Sequence, residues 1–355
     1  MKKSVYINSI GSVSVQKTFD DTSFLEDILS YKDTTLKVVD PDYKAYIPPA
    51  AARRMAKGIK MSTVSSQTAL KEAGLEAVDA IIVGTGLGCL GDSEKFVSDI
   101  IDNDEQYLTP TRFIQSSHNT VAGVIALAMD CKGYNFTYVH SSISFESCLI
   151  DANLQLATDE ASNILVGGVD EMVKHHVDTH RLIGHIKNEP IALEDVLTSK
   201  TKGSVIGEGS HFFVLSNIKQ DSTYAKLLAI RTYNTLDKSK VPETITRFLE
   251  DSNVSLASID AVIMGNNGDV EFDHYYNDLG ATLFENIPQL AYKHLSGEYD
   301  TASGFAFWLA NKILKTGSVP KATLLNNIKT TAPKTILIYN QYRGVNHSLV
   351  LLQKC

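Results

Sequence analysis

Short apolar runs alternate with helix-length stretches along the whole chain, and this alternation limits the possible folds more than any other feature. Residues 4–11, 77–86, 135–141, 161–170 and 209–217 have the length and β-branched character of buried strands. Between them, 50–74, 92–103, 117–130 and 143–158 carry helical periodicity. Strands alternating with helices predict an α/β fold with buried, mostly parallel strands. The scheme then repeats more briefly. Strands are expected at 224–234, 260–268, 334–341 and 346–353, and helices at 242–251, 274–284 and 301–315. The last helix carries Phe305, Trp308, Leu309 and Ile313 at helical spacing. With a junction over 214–226, the chain divides into two α/β halves, 1–218 and a shortened 219–355.

Charge and composition exclude several classes. A net charge of −8 lacks the basic stripe of a nucleic-acid binder. No run approaches the roughly 18 apolar residues of a membrane helix, so no membrane span is expected. The opening "MKKSVYINSIGSV" alternates apolar and polar residues, a strand pattern and not a signal peptide. Cys89, Cys131, Cys148 and Cys355 form no CxxC pair, which fits free thiols in a reducing, cytoplasmic setting.

The stretch "GYNFTYVHSSISFESCLIDANLQLA" (133–157) reads as a strand, a Ser-rich turn and a helix, the arrangement that presents a nucleophile at a helix N-terminus. Ser142 sits at that turn beside Ser141. A serine there needs a positioned base, usually histidine; His140 is two residues away but precedes the turn, and His118 and His274 are the other choices. Cys148 lies inside the helix among core residues and reads as an inert packing thiol. "GTGLGCLG" (85–92) follows a strand but lacks the acidic residue of a dinucleotide site, so it reads as a tight turn, and no cofactor is expected. In "EMVKHHVDTHRLIGH" (171–185), Glu171 with His175 and His176 with His180 have i, i+4 spacing. The segment is otherwise polar, and a solvated helix or loop without metal is the expectation.

Five motifs in order then resemble β-ketoacyl-[acyl carrier protein] synthases of the thiolase fold. Residues 109–142 resemble the stretch before the active-site cysteine. "NILVGGVDE" (163–171) resembles the strand ending in GG-x-E, and "KGSVIGEGSHFFVL" (202–215) the GEGA segment. "YKHLSGEYDTASG" (292–304) resembles KS-x-x-GH-x-x-GAAG, and "YNQYRGVNHSLVL" (339–351) the GFGGTN segment. The resemblance implies two similar halves in a layered αβαβα core. It also shows the family's chemistry replaced. The cysteine position of T-A-C-x-S falls on Ser142, the histidine of N-A-H-G-T on Asn267, and the histidine of K-S-x-x-G-H on Glu298. Lys293 of that motif is retained.

In the family, the cysteine carries an acyl group and the histidines stabilise the enolate formed as malonyl-carrier protein loses CO₂. Asn267 can still donate one hydrogen bond to an oxyanion, but an ionised Glu298 cannot. At an effective dielectric of about 20, a like-charge pair in contact costs several kcal/mol. The pattern resembles chain-length factors, ketosynthase-like subunits without the nucleophile. These pair with an active ketosynthase in type II fatty-acid-like, polyketide, aryl-polyene or flexirubin-type synthesis. By that resemblance the chain forms a heterodimer along 135–141 and 117–130 and meets acyl carrier protein through its partner. Phe113, Phe136, Tyr138, Phe145 and Tyr342 are the pocket or interface candidates, against simple core packing. Two rival readings are an acyltransferase or hydrolase using Ser142, and a homodimeric acyl-binding protein.

Overall fold

The computed structural model describes residues 3–19, 23–328 and 332–355. Ten strands form one sheet: β1 (Val5–Val13), β2 (Ala80–Gly84), β3 (Tyr134–Tyr138), β4 (Asn163–Asp170), β5 (Gly209–Ser216), β6 (Ala225–Asn234), β7 (Ala261–Met264), β8 (Gln289–Ala291), β9 (Thr335–Tyr342) and β10 (Asn346–Gln353). Their spatial order is β3-β2-β4-β5-β1-β6-β10-β9-β7-β8. Taken from each end, the two sets of five follow the same 3-2-4-5-1 order. They meet where β1 pairs antiparallel with β6 through Val5–Leu227, Tyr6–Lys226 and Ile7–Ala225.

Side-chain alternation builds three apolar layers around this sheet. Ile82 on β2, Ile164 and Val166 on β4, and Ile336 and Ile338 on β9 point into one central core. Two helices fill it, α5 (Ser144–Thr158) and α9 (Ser303–Thr316), contributing Phe145, Leu149, Phe305, Trp308 and Ile313. α9 is apolar around most of its circumference, as a helix enclosed in the core on all sides must be. The opposite faces carry Ile81, Val83 and Leu165 against α1 (Lys57–Ala73) and α4 (Thr120–Ala128), which are separated in the chain by α2 (Leu90–Asp102) and α3 (Pro110–Gln115). In the second half, Val262, Leu337 and Tyr339 pack against α7 (Val241–Asp251) and α8 (His274–Ala281). The result is the layered αβαβα arrangement.

Three local expectations need correction. The strands are not mostly parallel: β4–β5, β5–β1, β1–β6, β6–β10 and β10–β9 are antiparallel, and the parallel pairs are β2–β3, β2–β4, β7–β8 and β7–β9. The β9–β10 link is a tight turn over 343–345, too short for the crossover that parallel neighbours require. The helix expected over 50–74 starts at Lys57, after a separate single turn at Pro49–Ala52. The strand expected to run to 141 stops at Tyr138, and Ser141–Ile143 forms a 3₁₀ turn. The His-rich stretch contains a helix, α6 (Lys174–Leu182).

Candidate functional site

The turn between β3 and α5 is clamped from several sides. Ser144 Oγ donates to Ser141 O (2.7 Å) and Thr85 O (3.0 Å) and accepts the His140 N–H (2.8 Å). β2 approaches so closely that a Cβ on Gly84 would lie 2.7 Å from the Ser144 carbonyl carbon. Within this clamp Ser141 takes a left-handed backbone with φ 52°. A non-glycine residue there is strained, and such strain clusters at functional sites.

The two serines face different surroundings. Ser142 is buried, and its Oγ accepts a hydrogen bond from Asn346 Nδ2 (3.1 Å) on β10. No histidine takes that place. His140 turns to Ser147 Oγ (3.0 Å), and His274 stacks on Tyr275 with centroids 4.7 Å apart. Ser141 is exposed to a cavity, and its Oγ donates to Asp300 Oδ1 at 2.9 Å. Cys148 is fully buried, and burial pushes its thiol well above the ordinary range, which makes it unreactive.

Asn267 and Glu298 are brought together. Glu298 Oε2 accepts from Asn267 Nδ2 (2.6 Å) and from Lys293 Nζ (2.8 Å). The Lys293 and Glu298 side chains are 1% and 9% exposed. Asn267 Oδ1 accepts the Asp269 N–H (3.0 Å), so both ends of its amide are engaged. The three groups form a closed, internally neutralised unit. Beneath it, Glu146 of α5 is buried, accepts from Ser348 Oγ (2.8 Å), and is held above the ordinary carboxylic range by burial.

A cavity of about 540 Å³ lies between these groups, walled by Ser141, Asp170, Glu298, Asp300 and Tyr342. Asp170 is its best-anchored acid. Thr85 Oγ1 (3.1 Å) and the Gly86 N–H (2.7 Å) donate to one oxygen, and the Thr301 N–H (2.8 Å) and Oγ1 (2.7 Å) to the other. Burial, followed by the charge of Asp300, nevertheless pushes its pKa up to about 7. Asp170→Asn places an amide NH₂ against donors and strips two of them of an acceptor. The expected loss is about 2–4 kcal/mol of unfolding free energy, measured by denaturant titration.

His176, His180 and His185 close the cavity's far wall. The His180 and His185 Nδ1 atoms are 3.1 Å apart, and the His176 and His180 ring centroids 4.1 Å. Burial lowers all three, His176 to about 4, so they are neutral at pH 7. Among the described residues, no group of His, Cys, Asp or Glu is arranged to hold a metal ion, and no helix is long and apolar enough to cross a membrane.

Of the aromatic candidates, Tyr342 lines this cavity. Phe145 is buried in the central core against Phe213 and Phe307. Phe113 is 63% exposed beside Phe96, and Phe136 is 45% exposed between Tyr134 and Tyr138 on the edge strand β3. Sequence reasoning passed over Ser141, Asp170 and Asp300. One signal was available in "GEYDTASG": Thr301 stands where the resembled GH-x-x-GAAG motif has glycine, and its hydroxyl is what binds Asp170.

Residues 30–220, more than half of the chain, match the family model of the β-ketoacyl synthase N-terminal domain. No curated protein is significantly similar in sequence. Among solved structures, the ishigamide ketosynthase/chain length factor superposes with a TM-score of 0.84 at 14% identity over 100% of both chains. A β-ketoacyl synthase from Burkholderia phymatum STM815 gives 0.82 at 15% over 100% of both. The ketosynthase ApeO in complex with its chain length factor ApeC, from Xenorhabdus doucetiae, gives 0.77 at 15% over 99% of this chain and 98% of that one. The fold is therefore that of thiolase-like ketosynthases, and the chain belongs to the β-ketoacyl synthase family.

Proposed function

We propose that this chain is a non-condensing, chain-length-factor-like subunit that pairs with an active ketosynthase in type II polyketide or aryl-polyene-type synthesis. The observation that carries this reading is the Asn267–Glu298–Lys293 unit. Decarboxylative condensation needs hydrogen-bond donors aimed at a developing enolate oxygen. The position of one such donor holds a carboxylate, and the amide at the other is spent on that carboxylate. Ser142, buried and bonded to Asn346, is a poor nucleophile, which speaks against the hydrolase reading built on it.

The partner surface is supported by the sheet edge. β3 ends the sheet with Tyr134 and Phe136 exposed, and Leu127 of α4 is 84% exposed. An open strand edge beside exposed apolar side chains is a template for pairing with another chain.

The test is co-expression with a ketosynthase that has an intact Cys-His-His site. The two should co-purify, the complex should extend acyl chains, and the isolated chain should form no carbon–carbon bond. Condensation by the isolated chain, lost in Ser142→Ala, would overturn the reading.

A further inference from the structure

We propose that Ser141, and not Ser142, is an acyl-accepting nucleophile that takes a neutral acyl group from a thioester, with Asp300 as its general base. This goes beyond the non-condensing role and does not depend on it, since an ester on Ser141 forms no carbon–carbon bond.

The geometry is that of a poised hydroxyl. Ser141 holds the strained position of a strand–turn–helix, with φ 52°. Its Oγ opens on the cavity and already donates to Asp300 Oδ1 at 2.9 Å, within the reach a general base requires. Asp300 is fixed in turn. A Cβ on Gly86 would lie 1.9 Å from Asp300 Oδ2, so the carboxylate rests directly over a backbone that only glycine leaves open. Burial raises the affinity of Asp300 for a proton, which suits a group that must accept one near neutral pH. His180, neutral at pH 7, lines the same cavity.

In the step itself, Ser141 Oγ attacks the thioester carbonyl carbon while its proton passes to Asp300 Oδ1. Collapse of the tetrahedral intermediate breaks the C–S bond. The departing thiolate takes the proton from Asp300, leaving an O-acyl serine, a free thiol and the original carboxylate. The cavity also sets the substrate class. Asp170, Glu171 and Asp300 line it with no lysine or arginine among the wall residues, while Glu298 is already neutralised by Lys293. An acyl group ending in a carboxylate, such as malonyl, meets like charge, whereas a neutral alkanoyl or alkenoyl chain does not.

The experiment treats the full-length chain with the hexanoyl and malonyl thioesters of N-acetylcysteamine, followed by intact mass measurement and peptide mapping. One hexanoyl adduct on Ser141 is expected, with none from malonyl. Labelling should vanish in Ser141→Ala, persist in Ser142→Ala, and return in Ser141→Cys, which separates loss of the nucleophile from loss of the fold. Asp300→Asn should slow labelling by about a hundredfold or more. Absence of an adduct, an adduct on Ser142 or a cysteine, or an unchanged rate in Asp300→Asn would overturn the proposal. Heterodimer formation and chain extension are read separately, so either reading can fail alone.

Discussion

Lys293→Met should lower the unfolding free energy by about 3–5 kcal/mol, and the double variant Lys293→Met/Glu298→Met should regain most of it. Both partners are almost fully enclosed, with side chains 1% and 9% exposed. Removing the ammonium leaves the Glu298 carboxylate buried with only the Asn267 amide on the shared oxygen. It also removes the positive charge that offsets the burial of Glu146 nearby. The loss is therefore that of an uncompensated buried charge and not of one hydrogen bond. Replacing both members by an apolar side chain of similar length removes the charge together with its counter-charge, which is why the double variant recovers. Denaturant unfolding of the wild type, both single variants and the double variant gives the coupling energy directly. A near-neutral Lys293→Met would show that the pair is open to solvent, and the closed condition of the Asn267–Glu298–Lys293 unit would fall with it.

The layers were legible because the period of two is local. Ile164 and Val166 against Leu165, and Ile336 and Ile338 against Leu337, assign themselves to opposite faces in the structure as they do in the sequence. Strand direction was not legible, because alternation of strands and helices says that connections exist and not where they return. The three-residue strand β8 is too short to give any periodic signal. The meeting of Asn267 with Glu298 is suggested by the resembled motifs, but the bond between them depends on a carboxylate standing where the resembled motif has histidine. The contact of Asp170 with Thr301 joins residues 131 apart, and the left-handed backbone of Ser141 is imposed by the clamp at Ser144 and Gly84. Neither leaves a local trace. For the same reason Phe145 and Phe136, both in apolar runs, could not be told apart: one is enclosed in the central core and the other stands on an open edge.

Phe136→Lys should abolish capture of the partner ketosynthase while leaving the fold of the chain intact. Phe136 is the middle member of an aromatic row on β3, with centroids 5.9 Å from Tyr134 and 4.9 Å from Tyr138. The outer two are tied down by their hydroxyls, which donate to Asp151 Oδ2 on α5 at 3.1 and 3.2 Å. The row is thus a rigid apolar strip along an unpaired sheet edge, with few rotamers left to lose when a partner covers it. A buried aromatic at the centre of such a strip carries about 2–4 kcal/mol of binding, roughly a 30- to 1,000-fold change in Kd, and an added ammonium also has to be desolvated. Because Phe136 is 45% exposed in the free chain, its own stability should shift far less than binding does. Ile218→Lys serves as the control. That residue is also exposed, at 57%, but lies just after the central strand β5, away from either edge of the sheet, so partner capture should be unchanged. Native mass spectrometry of the co-expressed pair reads both variants. If Phe136→Lys still captures the ketosynthase at wild-type strength, pairing does not use the β3 edge, and the exposed aromatic row must serve some other contact.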